Sequence, residues 1–319
     1  MAPQSLLGLA GRKAHSAKLL VVRHWYKACK KSELSWRYVA NFRPWLEYQR
    51  TRKPLAATQE RLLDSLMRDG IVISSMAELF GDASLFDELE ASFRKREADL
   101  VERIDSARSN IASQGKVKSY LIPLLGSCPV LDPNDIFVRF ALQRQLLDIV
   151  NGYFGMFAKL RYYNVWHNLA TTNEPRESQL WHRDPEDRCI LKLFVYFTDI
   201  DEGAGPLSYV PRTHARGDFT VEAPSTVYLE GRTRVRRSDD SQMSVVAPKS
   251  RWVTALGPRG TAVLVDTTGY HKGGWARERD RILYTCMFTS QASPYPEIFE
   301  RKLPLPNYPD KNIAFAIGM

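Results

Sequence analysis

Residues 159–170 (KLRYYNVWHNLA), 189–200 (CILKLFVYFTDI), 260–266 (GTAVLVD) and 281–288 (RILYTCMF) are short apolar runs rich in Val, Ile, Leu, Tyr and Phe. Each has strand length, and clusters of glycine, proline and aspartate separate them. GPLSYV (205–210) and SRWVTAL (250–256) add two more. The chain before about residue 158 reads differently. ERLLDSLMRDG (60–70) has helical spacing and a closing glycine, and IVIS (71–74) reads as a strand. A second helix is expected over roughly 76–106 and another over 133–155, ended by Gly155. Helices first and then a run of short strands predict a mainly β fold, a jelly roll buttressed by helices. No internal repeat or low-complexity tract interrupts this order.

The 319 residues suffice for one substantial core, and 44% hydrophobic with 25% charged residues is the make-up of a soluble globular protein. No apolar run approaches the ~20 residues of a bilayer span. The opening MAPQSLLGLAGRK is a poor secretory signal, because its charge follows a short apolar stretch. Four scattered cysteines without a CxxC pair suggest neither zinc nor a disulfide framework, so a reducing cytoplasm is the expected setting.

The net charge of +9 is unevenly spread. Residues 1–57 hold 12 Lys/Arg against Glu33 and Glu47, or +10, which leaves 33 basic and 34 acidic groups in the remainder, or −1. A basic extension with three tryptophans (Trp25, Trp36, Trp45) therefore precedes a nearly neutral body over 58–319. Leu19, Val22, Tyr26 and Cys29 share a helical face within 15–32. That helix suits either docking on the body or peripheral contact with an anionic membrane. Phosphate contacts to nucleic acid are a weaker reading, since no binding motif accompanies the charge. The Arg-rich stretch 211–251 is long for a strand connection and reads as a functional insertion or a solvated loop.

The chemistry lies in QLWHRDPEDR (179–188) and VDTTGYHKGG (265–274). On an extended chain His182 and Asp184, two apart, project from one face. His271 follows the strand GTAVLVD. Two imidazoles and one carboxylate on one side of a metal leave the other side open, the arrangement of non-haem iron(II) oxygenases. An isolated H-x-D is common, and its bland reading is a polar surface strand. Arg281 sharpens the pattern: a guanidinium at the head of an apolar strand needs an anionic partner, which it can grip with two parallel hydrogen bonds. On the strand 159–170, Tyr162, Asn164, Trp166 and Asn168 share a face with each other and not with His167. Asn164 or Asn168 could therefore contact a co-substrate. His214 reads as a core or loop residue, and His15 and His24 belong to the basic extension.

WHRD, then FVYFTDIDEGAGPLSYVPRTHARG (194–217), then GTAVLVDTTGYHKGGWARERDR (260–281) resemble the phytanoyl-CoA dioxygenase family of 2-oxoglutarate oxygenases, over roughly residues 59–290. Gly205, Pro206, Leu207, Pro211 and His214 match its middle block. Arg212 stands where that motif has glycine, and the stretch from His271 to Arg281 is one residue shorter than in some members. The resemblance implies a double-stranded β-helix with Fe(II) on His182, Asp184 and His271. It further implies 2-oxoglutarate chelating the metal with its far carboxylate on Arg281, O₂ as oxidant, and hydroxylation with release of succinate and CO₂. Halogenating relatives carry a small residue at the carboxylate position, so Asp184 points to hydroxylation, or to desaturation or epimerisation at the same iron. The expected substrate is a small organic molecule, anionic or lipid-linked. The rival reading is a binding protein that keeps the scaffold without the chemistry.

Overall fold

The computed structural model describes residues 20–82, 84–110, 120–230, 233–301 and 309–318. The expected helical positions 15–19, His15 and Arg232 lie outside them. The described strands are β1 (Ile71–Ser75), β2 (Leu121–Pro123), β3 (Val130–Leu131), β4 (Ala158–Asn168), β5 (Leu191–Tyr196), β6 (Leu207–Tyr209), β7 (Thr226–Glu230), β8 (Thr233–Arg237), β9 (Val253–Thr254), β10 (Thr261–Asp266), β11 (His271–Gly273), β12 (Arg281–Ser290) and β13 (Glu300–Arg301). Six form one antiparallel sheet in the order β1-β10-β5-β12-β4-β2, and three form a second in the order β11-β6-β9. This is the mainly β, helix-flanked fold read from the strand runs, an open pair of antiparallel sheets.

Every residue of β10 and β12 is buried, which explains why runs such as AVLV (262–265) and ILY (282–284) are continuously apolar instead of alternating. One face of the large sheet packs on the helices through Val165, Leu193, Val195, Leu264, Tyr284 and Phe288. The other face meets the small sheet. Phe194, Tyr196, Val263, Val265 and Leu283 pack there against Leu207, Tyr209 and Ala255.

The helices keep their expected type but break more often. Ala57–Asp69 ends at Gly70, whose φ of 78° and approach to Tyr209 and His214 exclude a side chain. The single helix expected over 76–106 is three, Met76–Phe80, Ser84–Ala98 and Val101–Asn110, the first closed by a left-handed Gly81. The helix expected over 133–155 is two, Ile136–Ala141 and Arg144–Phe154. The insertion 211–251 forms the β7–β8 hairpin, which pairs with no other described strand, and the helix Asp240–Val246. No helix among the described residues is long and apolar enough to cross a membrane.

The basic extension packs on the body from Tyr26 onward. Tyr26 and Trp36 are buried, and both donate hydrogen bonds to Asp187, three residues beyond Asp184. Glu33 pairs with Arg37, Arg188 and Arg216, so one carboxylate ties the extension to two separate body segments.

Candidate metal centre

The small sheet brings two of the three expected ligands together before any side chain is considered. His182 and His271 are a direct antiparallel pair: the His182 amide donates to the His271 carbonyl at 2.9 Å and the reverse bond is 3.0 Å. Trp181 makes the equivalent bridge to Ser238, which extends this sheet toward the hairpin. Only residues 181–182 are sheet-paired. Asp184 lies in the loop just beyond, anchored by its amide to the Thr267 carbonyl at 2.8 Å. The two-residue spacing thus works through an extended turn off the sheet, where the sequence had suggested a strand.

Side-chain polarity is set by the backbone. Nδ1 of His182 lies 2.8 Å from the Leu180 carbonyl and Nδ1 of His271 lies 3.0 Å from the Gly269 carbonyl. A carbonyl can only accept, so each Nδ1 carries the proton and each Nε2 keeps its lone pair. The rings stand 4.2 Å apart. Asp184 Oδ1 is 3.7 Å from His182 Nε2, and Oδ2 is 3.9 Å from His271 Nε2. One donor atom from each residue lies within 4.8 Å of the others. Burial, and then the neighbouring His271, hold the His182 pKa well below its ordinary value, and burial lowers that of His271. Burial alone would raise Asp184. Lys192 first, then the two imidazoles, override it and keep the carboxylate ionised. Two neutral imidazoles and one carboxylate with converging lone pairs suit a divalent transition metal, iron(II) among them.

Lys192 escaped the sequence reading. Its Nζ donates to Asp184 Oδ2 at 2.6 Å, leaving Oδ1 beside His182. The signal was a lone cation in the apolar run LKLFVY, in phase with Phe194 and Tyr196 on the inward face.

The register places the remaining expected residues. Arg281 pairs with Asn168, so both lie on the inward face together with Tyr162, Asn164, Trp166, Lys192 and Tyr196. Arg281 is 6% exposed, and its Nε has no hydrogen-bond partner among the described residues. Asn168 makes one long contact, 3.5 Å to the Arg281 carbonyl. Asn164 is occupied elsewhere, accepting from the Leu125 amide at 3.2 Å and donating to the Gly126 carbonyl at 2.8 Å. His167 faces the opposite side, 2.7 Å from Asp280. His214 is buried against Gly70 and contacts the Met67 carbonyl.

A cavity of about 590 Å³ opens on His182 and Asp184. Its outer wall is strand β8, with Arg234, Arg236 and Arg237, and its floor includes Arg183. Arg237 is neutralised by a bidentate pair with Glu230, both bonds 3.0 Å. Arg183 stacks 4.1 Å over Tyr270, and its Nε has no hydrogen-bond partner among the described residues. Arg212, at the motif position that carries glycine in the resembling family, adopts a φ of 67°, the left-handed conformation glycine favours.

Among curated proteins no relative matches the chain. Its fold is similar to EctD from S. alaskensis, solved with 2-oxoglutarate and 5-hydroxyectoine (16% identity, 80% of this chain and 85% of that one, TM-score 0.49). It is also similar to SnoN, the non-haem α-ketoglutarate-dependent epimerase of nogalamycin biosynthesis (16% identity, 73% and 83%, TM-score 0.41). A third similar structure is the carbocyclase SnoK of the same biosynthesis (12% identity, 75% and 87%, TM-score 0.46). The family model of phytanoyl-CoA dioxygenase matches residues 164–278, a segment that holds His182, Asp184 and His271 and stops just short of Arg281. Over this segment, which carries the converged His-Asp-His set, the chain is similar to the phytanoyl-CoA dioxygenase family.

Proposed function

We propose that this protein is an Fe(II)/2-oxoglutarate-dependent dioxygenase that hydroxylates an unactivated C–H bond of a small organic substrate, anionic or lipid-linked, with release of succinate and CO₂. The observation that carries the reading is a buried guanidinium that has no counter-charge among the described residues, together with a converged His-Asp-His set. Bound iron supplies O₂ activation, and 2-oxoglutarate supplies two electrons through its decarboxylation. The chain's own residues do the positioning. His182, Asp184 and His271 hold the metal through Nε2, Oδ1 and Nε2. Arg281 takes the far carboxylate of 2-oxoglutarate by a two-pronged grip, with Asn168 beside it. Asn164, its amide engaged by the Leu125–Gly126 turn, has less to offer. Lys192 holds the outer oxygen of Asp184 and so favours single-oxygen ligation. Arg234 and Arg236 on the cavity wall, which make no ion pair among the described residues, support an anionic substrate.

The test is succinate release by the iron-loaded protein with 2-oxoglutarate and O₂. Loss of release in His182→Ala supports the reading, and an Ala variant that matches the parent rate overturns it. Iron titration of the parent decides against the binding-protein alternative, because a scaffold without chemistry has no reason to hold the metal. Product analysis separates hydroxylation from desaturation or epimerisation.

A cytoplasmic protein with peripheral contact to an anionic membrane is supported by three exposed apolar residues of the extension, Leu34, Tyr38 and Phe42, at 67%, 45% and 50%. The exposed Lys31 and Arg43 belong to the same segment. Co-sedimentation with anionic vesicles tests this, and its failure leaves the oxygenase reading intact.

A further inference from the structure

Beside the loop that carries Asp184 lies a second cavity, of about 370 Å³, bounded by Lys30 and Lys31 of the extension, by Arg183 and Arg188 of the loop, and by residues between Thr213 and Thr220. Arg183 lines both cavities, and the chain running from Phe219 to Glu222 passes from one to the other. The two hollows therefore adjoin at Arg183.

The charges in this second cavity are one-sided. Its single acid is Asp187, whose oxygens are taken by Tyr26, Trp36 and the amides of Arg188 and Ser290. Arg188 is also occupied: Nε donates to Glu33 at 2.7 Å, and Nη1 donates to the carbonyls of Lys30 and Lys31 at 3.1 and 3.2 Å. Those two bonds fix the backbone that carries the two lysines. Lys30 spends one hydrogen on the Pro185 carbonyl at 2.6 Å and keeps two. Lys31 is exposed and makes no ion pair among the described residues. Arg183 donates from Nη2 to the Val221 carbonyl at 3.1 Å, and its buried Nε has no hydrogen-bond partner among the described residues. Three cations with spare donors thus border one hollow, two of them held there by hydrogen bonds to the ligand loop and its neighbour.

We propose that this cavity is a phosphoryl-binding subsite, in which Lys30, Lys31 and Arg183 receive a phosphate or pyrophosphate group of the substrate while the carbon to be oxidised lies across Arg183 at the metal. The idea rests on the oxygenase reading for its second half only, since the anion site needs neither iron nor 2-oxoglutarate. A compact ammonium is a good phosphate partner, and a polyanion gains from several cations that a single carboxylate could not engage together. The basic extension then has a function at the active site: it supplies two of the three cations.

Calorimetric titration of the full-length, metal-free protein with inorganic pyrophosphate tests the subsite. One saturable binding event is expected. Lys31→Glu, at an exposed position, should weaken it about tenfold, which is the effect of roughly 1.4 kcal/mol. The double variant Lys30→Gln/Lys31→Gln should weaken it further, and Asp184→Asn should still bind. Absence of saturable binding overturns the proposal, and so does an affinity unchanged in both lysine variants. Phosphatidylglycerol vesicles that displace pyrophosphate identify a lipid headgroup as the source of the phosphoryl group. Vesicles that leave it bound identify a soluble phosphoester. Succinate release is measured separately, so a failed subsite with intact release leaves the oxygenase reading standing.

Discussion

Replacing Arg281 with leucine should make the ligand-free protein more stable while removing its affinity for 2-oxoglutarate. The guanidinium is 6% exposed, and Nε has no partner among the described residues. The nearby phenols are committed elsewhere, Tyr196 to the Ala255 carbonyl at 2.7 Å and Tyr120 to Ser178 at 2.9 Å. An unpaired buried charge costs several kcal/mol in effective terms, partly relieved by water in an open site, so about 1–3 kcal/mol is recoverable by an apolar side chain. Leu283 and Trp166, on the same face, offer it apolar contacts. At about 2–4 °C per kcal/mol for a larger domain, the melting temperature should rise by roughly 2–12 °C. Removing one side of a buried, hydrogen-bonded charge pair costs about 2–5 kcal/mol, so the Kd for 2-oxoglutarate should rise at least ~30-fold. Both quantities come from melting curves of the anaerobic Fe(II)-loaded protein with and without 2-oxoglutarate. The parent gains stability with ligand and the variant does not. A variant that melts lower than the parent and still gains from 2-oxoglutarate would show that Arg281 serves the fold, and the co-substrate assignment would be lost.

Three further outcomes are expected. His182→Ala and Asp184→Ala should each weaken iron retention by well over the roughly 10–100-fold that loss of an outer supporting hydrogen bond costs, read as metal content after dialysis. Glu33 should make stability pH-dependent at its docking point. Burial would raise its pKa, but Arg216, Arg188 and Arg37 lower it to about 2. Its contribution is therefore present above its ordinary value near 4.5 and fades as pH falls toward 2. With the side chain 33% exposed, about 1 kcal/mol is a fair discounted size, measured as the parent's excess over Glu33→Gln in urea unfolding at each pH. An excess that persists unchanged to pH 2 contradicts the assignment. Arg212→Gly should raise stability by up to ~1 kcal/mol, because a left-handed residue with a side chain is strained and only an exposed pair with Asp218 is lost. A lower urea midpoint in that variant would show that the Asp218 pair matters more than the backbone.

The run of apolar segments after residue 158 was enough to read the fold class, because a strand buried on both faces announces itself by apolar composition alone, as β10 and β12 do. The three expected ligands were readable as residue types at a spacing that the structure brings within 4.8 Å of one another, and the inward phase of Asn168 and Trp166 followed from the period of two. Helix ends were less legible. Gly81 was on the page as a stop signal, yet the charged, regularly apolar stretch around it invites one long helix. The extension shows the same limit: its aromatic residues suggested a surface to be covered but not that Tyr26 and Trp36 cover Asp187.

What the sequence determined was the inventory, meaning two imidazoles, a carboxylate and a guanidinium placed on or beside strands. Only the tertiary structure decided their state. The antiparallel pairing of His182 with His271 joins residues 89 positions apart and aims both Nε2 atoms at one carboxylate. The contact of Lys192 with Asp184, the missing counter-charge of Arg281 and the cavity shared by Lys30, Lys31 and Arg183 arise in the same way. Local patterns specify which face a side chain takes, because φ, ψ and the strand period are local. Whether a charge on that face finds an opposite charge depends on distant segments, and that balance decides what the site can bind.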